Sequence, residues 1–370
     1  MKQYTHFTHF PVTRKVLGSF CPGFLTMQQS ERLHTFIALG EYLRSDESAA
    51  EREQICHRAN FYNNWFTPEN NHKALNAIAN DMLTTESLTN WLAQYNPEPA
   101  EPKTIGVAMA GNIPAVGFHD LLCVLISGHK LLAKTSSQDF ALIQYLIQKI
   151  TEINPAFAER ITIAERLNAA DAFIATGSDN TARYFEYYFG KRPHIIRRNR
   201  TSVGILTGQE SPEEFARLGD DILTYFGLGC RNVSTLLVPE SIHGAPYDFI
   251  PLLQTLDPLA PTYRNLSKWV NNYDYNKSIY LVNGVPHFDN GFLLLTQQDG
   301  LVSPISVVYY QTYRDADHAA ALLARQADKI QVVASADGAY PGSVPFGQTQ
   351  HPTLTDYPDG IDTMAFLAKL

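Results

Sequence analysis

The segment Thr104-Ile-Gly-Val-Ala-Met-Ala-Gly-Asn-Ile-Pro114 decides the fold class of this chain. Its apolar first half is typical of a buried strand, and the glycine, asparagine and proline that follow form a turn before a helix-like segment that ends near Ser127. Further along the chain, residues 129–134, 161–165 and 172–176 are strand candidates separated by helix-like segments. Alternation of strands and helices predicts a parallel sheet with crossover helices, which binds ligands at the carboxyl ends of its strands.

Strands and helices also alternate in the second half of the chain, which predicts a second α/β domain. The candidates are strands at residues 202–207, 234–239, 278–282 and 305–310 and a helix that begins after Ser211. Residues 1–100 have a mainly helical pattern. Residues 96–103, which are rich in proline and glutamate, are typical of a linker between this region and the first α/β domain.

The composition and charge of the chain exclude several classes of function. The chain has 370 residues, of which 45% are hydrophobic, and a formal net charge of −8, which disfavours general binding to nucleic acid. Its best apolar run, residues 115–128, is shorter than the ~20 residues that cross a bilayer, and the first residues lack the apolar core of a secretory signal. Because Cys21, Cys56, Cys123 and Cys230 show no metal-ligand spacing, we expect no metal, no disulfide framework and a cytoplasmic location.

Cys230 is the strongest candidate for a nucleophile. Gly227 and Gly229 allow the backbone to approach a ligand closely, and free amides in such a turn can bind an oxyanion. The neighbouring guanidinium of Arg231 would favour the thiolate, which is the reactive form of cysteine. The alternative is a buried, inert cysteine, and that is the interpretation we prefer for the other three cysteines.

The segment Tyr225-Phe-Gly-Leu-Gly-Cys-Arg-Asn-Val-Ser-Thr-Leu-Leu-Val-Pro239 resembles the nucleophile motif of the aldehyde dehydrogenase superfamily. Four other motifs resemble that superfamily in the same order along the chain. They are Met109-Ala-Gly-Asn-Ile-Pro114 (the oxyanion-hole turn), Gly128-His-Lys-Leu-Leu-Ala-Lys-Thr-Ser-Ser137 (the strand that holds the adenosine ribose), Phe173-Ile-Ala-Thr-Gly-Ser178 (the cofactor turn) and Val344-Pro-Phe-Gly-Gln348 (a late Pro-Phe-Gly stretch). The matches span roughly residues 104–366.

Three shorter passages are similar to one branch, the fatty-acyl-CoA reductases related to the bacterial bioluminescence reductase subunit. They are Asn64-Trp-Phe-Thr-Pro-Glu-Asn70, Arg183-Tyr-Phe-Glu-Tyr-Tyr-Phe-Gly190 and Asn271-Asn-Tyr-Asp-Tyr-Asn-Lys277. The resemblance implies an aldehyde-dehydrogenase-like α/β fold and a homo-oligomer. Its parts would be a helical N-terminal region packing on the cofactor domain (1–100), a Rossmann-type NAD(P)-binding domain (101–201), an α/β catalytic domain (202–345) and a C-terminal segment that returns to the cofactor domain or to an oligomer interface (346–370).

The same resemblance implies a reaction and the residues that perform it. Cys230 would be the nucleophile, and the Asn112 amide would contribute to the oxyanion hole. The cofactor-binding residues would be Lys134, Ser137, Gly177 and Ser178. The implied reaction is the reduction of an acyl-CoA, in this branch a fatty acyl-CoA, to the aldehyde with release of CoA, through an acyl group on Cys230. An acyl group on a carrier protein is an alternative substrate. A separate enzyme could supply the acyl group.

Two departures from the superfamily pattern refine this expectation. The stretch Arg197-Arg-Asn-Arg-Thr-Ser202 stands where hydrolytic members carry the glutamate that activates water, so the sequence favours thioester reduction over aldehyde oxidation. Ser137 stands where NAD-preferring members carry a glutamate that would repel a 2′-phosphate. We therefore expect NADPH as the cofactor, with NADH as the alternative.

Two other functions stay open on the sequence: an aldehyde or semialdehyde dehydrogenase of the same superfamily, and a catalytically silent acyl-binding or scaffold subunit. Several residues also have two interpretations. Arg197, Arg198 and Arg200 could contact phosphates or form a solvated basic edge. Residues 271–277 could be a loop along the acyl path or a plain surface loop, and His119 with Asp120 could be a catalytic dyad or a satisfied polar pair.

Overall fold

The computed structural model describes residues 27–95, 98–177 and 179–370. Cys21 and Ser178 lie outside the described residues. The α-helices are α1 (Gln29–Arg44), α2 (Ala49–Tyr62), α3 (Pro68–Ala77), α4 (Thr85–Leu92), α5 (Phe118–Ile126), α6 (Phe140–Ile153), α7 (Asp179–Phe189), α8 (Pro212–Leu223), α9 (Ile250–Leu256), α10 (Ala260–Arg264), α11 (Ser267–Asn283), α12 (Ala316–Ala324) and α13 (Thr363–Leu367). The strands are β1 (Thr104–Ala108), β2 (Lys130–Lys134), β3 (Ile161–Ile163), β4 (Ala172–Thr176), β5 (His194–Arg197), β6 (Thr201–Ile205), β7 (Val233–Pro239), β8 (His287–Asp289), β9 (Leu294–Gln297), β10 (Val307–Tyr313), β11 (Ile330–Ser335) and β12 (Val344–Pro345).

The strands form two sheets, and the α/β fold class predicted from the sequence is confirmed. The first sheet has five parallel strands in the order β3-β2-β1-β4-β5. Its order reverses between β1 and β4, which is the position where open parallel sheets place a ligand crevice. The second sheet has seven strands in the order β12-β11-β6-β7-β10-β9-β8, and only its edge strand β8 runs antiparallel to its neighbour.

The helices before the first sheet and the residues at the end of the chain share its hydrophobic core. Phe36 and Trp91 from the N-terminal helices, Leu142 from α6 and Met364 from α13 belong to one buried cluster. The Trp91 Nε1–H group donates a hydrogen bond of 2.7 Å to the hydroxyl of Tyr357, which ties α4 to the C-terminal segment. The boundaries of the four predicted parts remain a prediction.

Two local expectations are wrong. Residues 278–282, predicted as a strand, and residues 271–277, expected to be a loop, both lie inside α11. The helix is favoured because its buried residues recur at helical spacing, and it ends at Gly284 in a left-handed conformation. These buried residues are Trp269, Tyr273, Asn276 and Tyr280. No helix within the described ranges combines the length and the apolarity needed to cross a bilayer.

Candidate active site

The backbone before Cys230 adopts an unusual conformation. Tyr225 and Phe226 have φ angles of 52° and 57°, and Gly227 has 71°. A left-handed conformation is unfavourable for residues with a side chain, and it persists only where the surroundings enforce it. We call residues 225–232, which join α8 to β7, the cysteine turn. Its strained backbone places Cys230 at a defined position between the two elements.

Asn232 holds the cysteine turn from inside the protein. Its side chain is almost completely buried. The Oδ1 atom accepts a hydrogen bond of 2.8 Å from the Gly229 N–H group, and Nδ2 donates to the carbonyl oxygens of Thr224 at 2.8 Å and Asp221 at 3.0 Å. One amide therefore bridges the end of α8 and the backbone directly before Cys230. The sequence analysis missed this residue.

Asp221 links the cysteine turn to the late Pro-Phe-Gly stretch. Its buried carboxylate accepts hydrogen bonds from the Gly347 N–H group at 2.7 Å, the Thr349 N–H group at 3.0 Å and the Thr349 hydroxyl at 2.7 Å. The carbonyl oxygen of Thr349 in turn accepts a hydrogen bond from Nε of Arg231. Two of the five sequence motifs are thus joined through an aspartate that the sequence analysis did not single out.

Two opposing effects act on the Cys230 thiol, which is half-buried. Burial raises its pKa because a thiolate loses hydration there, while the positive charge of Arg231 lowers the pKa. The net direction is upward. The thiol in this conformation is therefore less acidic than a free cysteine, and Arg231 is the nearby group that counteracts this effect.

The loop after β1 and the cysteine turn, which border different sheets, are in contact. Asn112 follows β1, and its Nδ2 atom donates a hydrogen bond of 2.7 Å to the carbonyl oxygen of Leu228 in the cysteine turn. The next residue, Ile113, packs beside the turn, since a Cβ atom placed on Gly229 would lie 3.5 Å from its Cδ1 atom. A primary amide carries two N–H donors, so one can position the loop while the other serves a ligand.

A mainly apolar cavity of about 150 Å³ opens beside Cys230. Ala74 and Ala77 of α3 line one side, together with Ile78 and Met82 of a short π-helical stretch that continues this helix. The loop after β1 and the C-terminal segment line the other sides through residues such as Val116 and Pro352. A cavity of this composition and volume suits a small hydrocarbon group or a short segment of a chain.

A second cavity, of about 680 Å³, lies at the carboxyl ends of β1, β2 and β4. It brings together three of the four predicted cofactor residues: Lys134, Ser137 and Gly177. Its wall also includes Glu165, a carboxylate just after β3 that the sequence analysis did not consider. We call this group of strand ends the cofactor edge. It fits a dinucleotide because it combines an open crevice, a lysine and hydroxyl groups at the reversal of strand order.

A single loop connects the two cavities. Met109 lines the cavity at the cofactor edge, and Ile113, four residues later, lines the cavity that contains Cys230. The loop lies close to the end of β2, because a Cβ atom on Gly111 would overlap the Ser136 side chain. Ligands at the two ends of this loop would approach each other near Asn112.

The remaining candidates have structural partners. Arg197 is buried and pairs with Asp120 at 2.6 Å, so it lies neither at a phosphate site nor on a solvated edge. Arg198 pairs with Glu186, and Arg200 pairs with Asp359 at 3.3 Å.

His119 does not pair with Asp120. Instead, its Nε2 atom lies 3.0 Å from the carbonyl oxygen of Leu354. No catalytic dyad is formed. No group of three potential metal ligands occurs in the described part of the chain.

Comparisons with known proteins place this arrangement in a structural class. No protein-family model matches the sequence, and no curated protein matches it. Solved structures do match. A putative aldehyde dehydrogenase from Burkholderia cenocepacia has a TM-score of 0.59 and 14% identity, over 84% of this chain and 76% of that one. The chain has the aldehyde dehydrogenase fold.

Two further solved structures with this fold are also distant in sequence. An NAD-dependent aldehyde dehydrogenase from Sinorhizobium meliloti has a TM-score of 0.61 and 11% identity, over 88% of this chain and 72% of that one. An aldehyde dehydrogenase from Bacillus cereus in complex with NAD+ has a TM-score of 0.57 and 14% identity, over 84% and 72% of the two chains. At such identities the aldehyde dehydrogenase fold is shared, and the activity must be argued from this chain's own residues.

Proposed function

We propose that this protein is an acyl-CoA reductase that converts a fatty acyl thioester to the aldehyde with NADPH, through an acyl group carried on Cys230. The observation that supports the proposal most directly is the position of Cys230. The thiol lies in the wall of an apolar cavity, within one loop of the cofactor edge, and next to the loop that carries Asn112.

The first step is transfer of the acyl group to Cys230. The thiolate attacks the thioester carbonyl carbon, and a new carbon–sulfur bond forms as the carbonyl π electrons move to oxygen. The second N–H of the Asn112 amide and the Cys230 backbone N–H stabilise this oxyanion, and one such donor is worth about 3–4 kcal/mol. The oxyanion then collapses, the bond to the CoA sulfur breaks, and CoA leaves with the proton that Cys230 had lost.

The cofactor edge supplies the reductant. Lys134, Ser137 and Gly177 would hold NADPH, which supplies a hydride for the acyl carbon when bound. The exposed hydroxyl of Ser137 can donate a hydrogen bond to a 2′-phosphate, which a carboxylate at this position would repel. The oxyanion formed by reduction is stabilised by the same two donors, and its collapse releases the aldehyde and the Cys230 thiolate.

The second candidate is an aldehyde dehydrogenase, which would need a base to activate water. Residues 197–200 contain no carboxylate, but Asp356 lines the cavity that contains Cys230. Its Oδ2 atom accepts hydrogen bonds from the Thr353 N–H group at 2.8 Å and the Thr353 hydroxyl at 2.7 Å, which hold it in place. An Asp356→Asn variant separates the two functions, because only water activation requires the carboxylate.

Intact-mass spectrometry with palmitoyl-CoA tests the proposal. We expect an acyl adduct on Cys230 that disappears on addition of NADPH as aldehyde is released, and no adduct on a Cys230→Ala variant. A stable adduct that NADPH does not discharge would support the silent acyl-binding subunit. Absence of an adduct from folded protein with chains of several lengths would contradict the proposal. Oxidation of an aldehyde to the acid without CoA would support the second candidate.

A further inference from the structure

One wall of the apolar cavity beside Cys230 comes from the N-terminal helical region. It is formed by four apolar side chains: Ala74, Ala77, Ile78 and Met82. Positions three, four and eight residues after the first share one face of a helix, so all four side chains belong to the same face. We call this face the α3 wall. It precedes both sheets in the chain, yet it borders the same space as Cys230.

The α3 wall changes from small to large side chains along the helix. Ala74 and Ala77 each contribute only a methyl group, whereas Ile78 and Met82 carry longer side chains. Ile78 is almost completely buried and Met82 is half-buried, and both pack against the core of the first sheet. These two side chains therefore determine how much space this side of the cavity leaves for a ligand.

The backbone that carries Ile78 and Met82 is held in place. The Leu83 N–H group donates a hydrogen bond of 3.0 Å to the Ile78 carbonyl oxygen, which closes the π-helical stretch. The guanidinium of Arg44 in α1 donates to the carbonyl oxygen of Ala79 in the middle of the stretch. A π-helical stretch inside a helix is frequently found at a functional site. Here it places two large side chains against the cavity.

A polar contact joins the α3 wall to the opposite wall of the cavity. Asp81 belongs to the π-helical stretch, and its Oδ2 atom lies 3.2 Å from Nδ1 of His351 in the C-terminal segment. The residues on either side of this histidine, Gln350 and Pro352, line the cavity. The contact therefore holds the two walls together and limits the width of the space between them.

The volume of the cavity limits the size of an acyl group. A cavity of about 150 Å³ with apolar walls holds a benzene molecule, which has about six carbon atoms' worth of volume. An acyl group bonded to the Cys230 sulfur can therefore place about six further carbons in this space. The distal carbons of a longer chain have to lie outside the cavity.

We propose that the α3 wall restricts the preferred substrate to thioesters with about six carbons beyond the carbonyl, and that Ile78 and Met82 set this limit. The inference rests on the proposed function and narrows its substrate class to acyl groups near hexanoyl and octanoyl. Each methylene buried in the cavity should strengthen binding about fourfold, and a methylene beyond the limit should contribute nothing. Palmitoyl-CoA still acylates Cys230, at a lower rate.

A series of acyl-CoA thioesters tests the limit. The rate of Cys230 acylation is measured by intact-mass spectrometry with butanoyl-, hexanoyl-, octanoyl-, dodecanoyl- and palmitoyl-CoA, at concentrations below saturation and below micelle formation. We expect the rate to rise about tenfold from butanoyl to hexanoyl, because two more methylenes are buried. It should then fall at least tenfold from octanoyl to dodecanoyl. A rate that stays level or rises up to palmitoyl would overturn the proposal.

Variants of the α3 wall should move the preferred length in opposite directions. Met82→Ala, which enlarges the cavity, should raise the ratio of the dodecanoyl to the hexanoyl rate at least tenfold. Ala77→Leu, which narrows it, should lower the ratio of the hexanoyl to the butanoyl rate at least tenfold. Because each ratio compares two substrates on the same folded protein, a general loss of stability does not change it.

Leu33→Ala is the matched control. Leu33 is half-buried against the same core as Met82, but it does not line the cavity. We expect both rate ratios to equal those of the unmodified protein. Equal ratios in Met82→Ala and Leu33→Ala would contradict the role of the α3 wall while leaving the proposed function intact. Failure of every thioester to acylate Cys230 in folded protein would contradict the proposed function itself.

Discussion

In the cysteine turn, buried side chains hold the backbone from two sides, whereas along the cofactor edge Lys134 and Ser137 are exposed. Asn232 and Asp221 together make hydrogen bonds to the backbone before Cys230 and to the late Pro-Phe-Gly stretch. The two halves of the site therefore obtain their geometry in different ways. Internal hydrogen bonds fix the position of Cys230, whereas the cofactor edge is an open cavity.

Removal of the Asn232 amide is expected to have the largest effect, because this side chain holds the cysteine turn in place. Asn232→Ala leaves the Gly229 N–H group and the carbonyls of Thr224 and Asp221 without their partner. Since an unsatisfied buried group costs about 1–3 kcal/mol, we expect the free energy of unfolding to fall by about 3–5 kcal/mol. Urea denaturation measures this change.

A matched control exists on α11. Asn272 is half-buried and donates one hydrogen bond of 2.8 Å to the Lys268 carbonyl oxygen within the same helix. Asn272→Ala should lower the free energy of unfolding by at most about 1 kcal/mol. Equal losses in the two variants would show that the cysteine turn is not held in the way described.

The second prediction concerns Asn112, whose side chain is exposed. Asn112→Ala should slow acylation of Cys230 by about 10²–10³-fold, because an oxyanion-hole donor is lost, and should leave the urea midpoint almost unchanged. Single-turnover mass spectrometry gives the rate. Asn112→Asp, which keeps the size but not the donors, should behave similarly, and a loss below about tenfold in both would remove Asn112 from the oxyanion hole.

The third prediction concerns the charge of the cofactor edge. Ser137→Glu should raise the Kd for NADPH about tenfold and change the Kd for NADH little, because a carboxylate repels the 2′-phosphate. Glu165→Gln should act in the opposite direction, since it removes a carboxylate from the same cavity. Gln138→Glu is the control, because this exposed neighbour does not line the cavity. A similar effect from Gln138→Glu would place the 2′-phosphate elsewhere.

The smallest expected effect concerns Arg231. Because burial raises the pKa of the Cys230 thiol, alkylation by iodoacetamide should be half-maximal above the pH of about 8.5 at which an unperturbed cysteine titrates. Arg231→Gln should move this midpoint to still higher pH, because it removes the charge that lowers the pKa. The rate of alkylation at Cys230 against pH, read by peptide mass spectrometry, checks both. A downward shift in the variant would contradict the role of Arg231.

Local patterns predicted most of the first sheet. The apolar runs at residues 104–108, 130–134 and 172–176 are strands, because each is buried on both faces between helices. Strand β5 was not predicted, since its four residues include a histidine and an arginine and carry no clear apolar pattern. Residues 278–282 were misassigned because a short apolar run suits a strand or a helix, and the packing of Tyr273 and Tyr280 decides for the helix.

Local sequence patterns predict the α/β class and the order of the motifs, because periodicity and turn residues act over short distances along the chain. Which side chains meet depends on the packing of the whole chain. The contact between Asn112 and Leu228, the support of Gly229 by Asn232, and the bonds from Asp221 to Thr349 join positions that are far apart or unremarkable in sequence. Such contacts depend on how two sheets and the chain end pack together. Burial makes the bonds of Asn232 and Asp221 matter most, because an unpaired polar group there has no water to replace its partner.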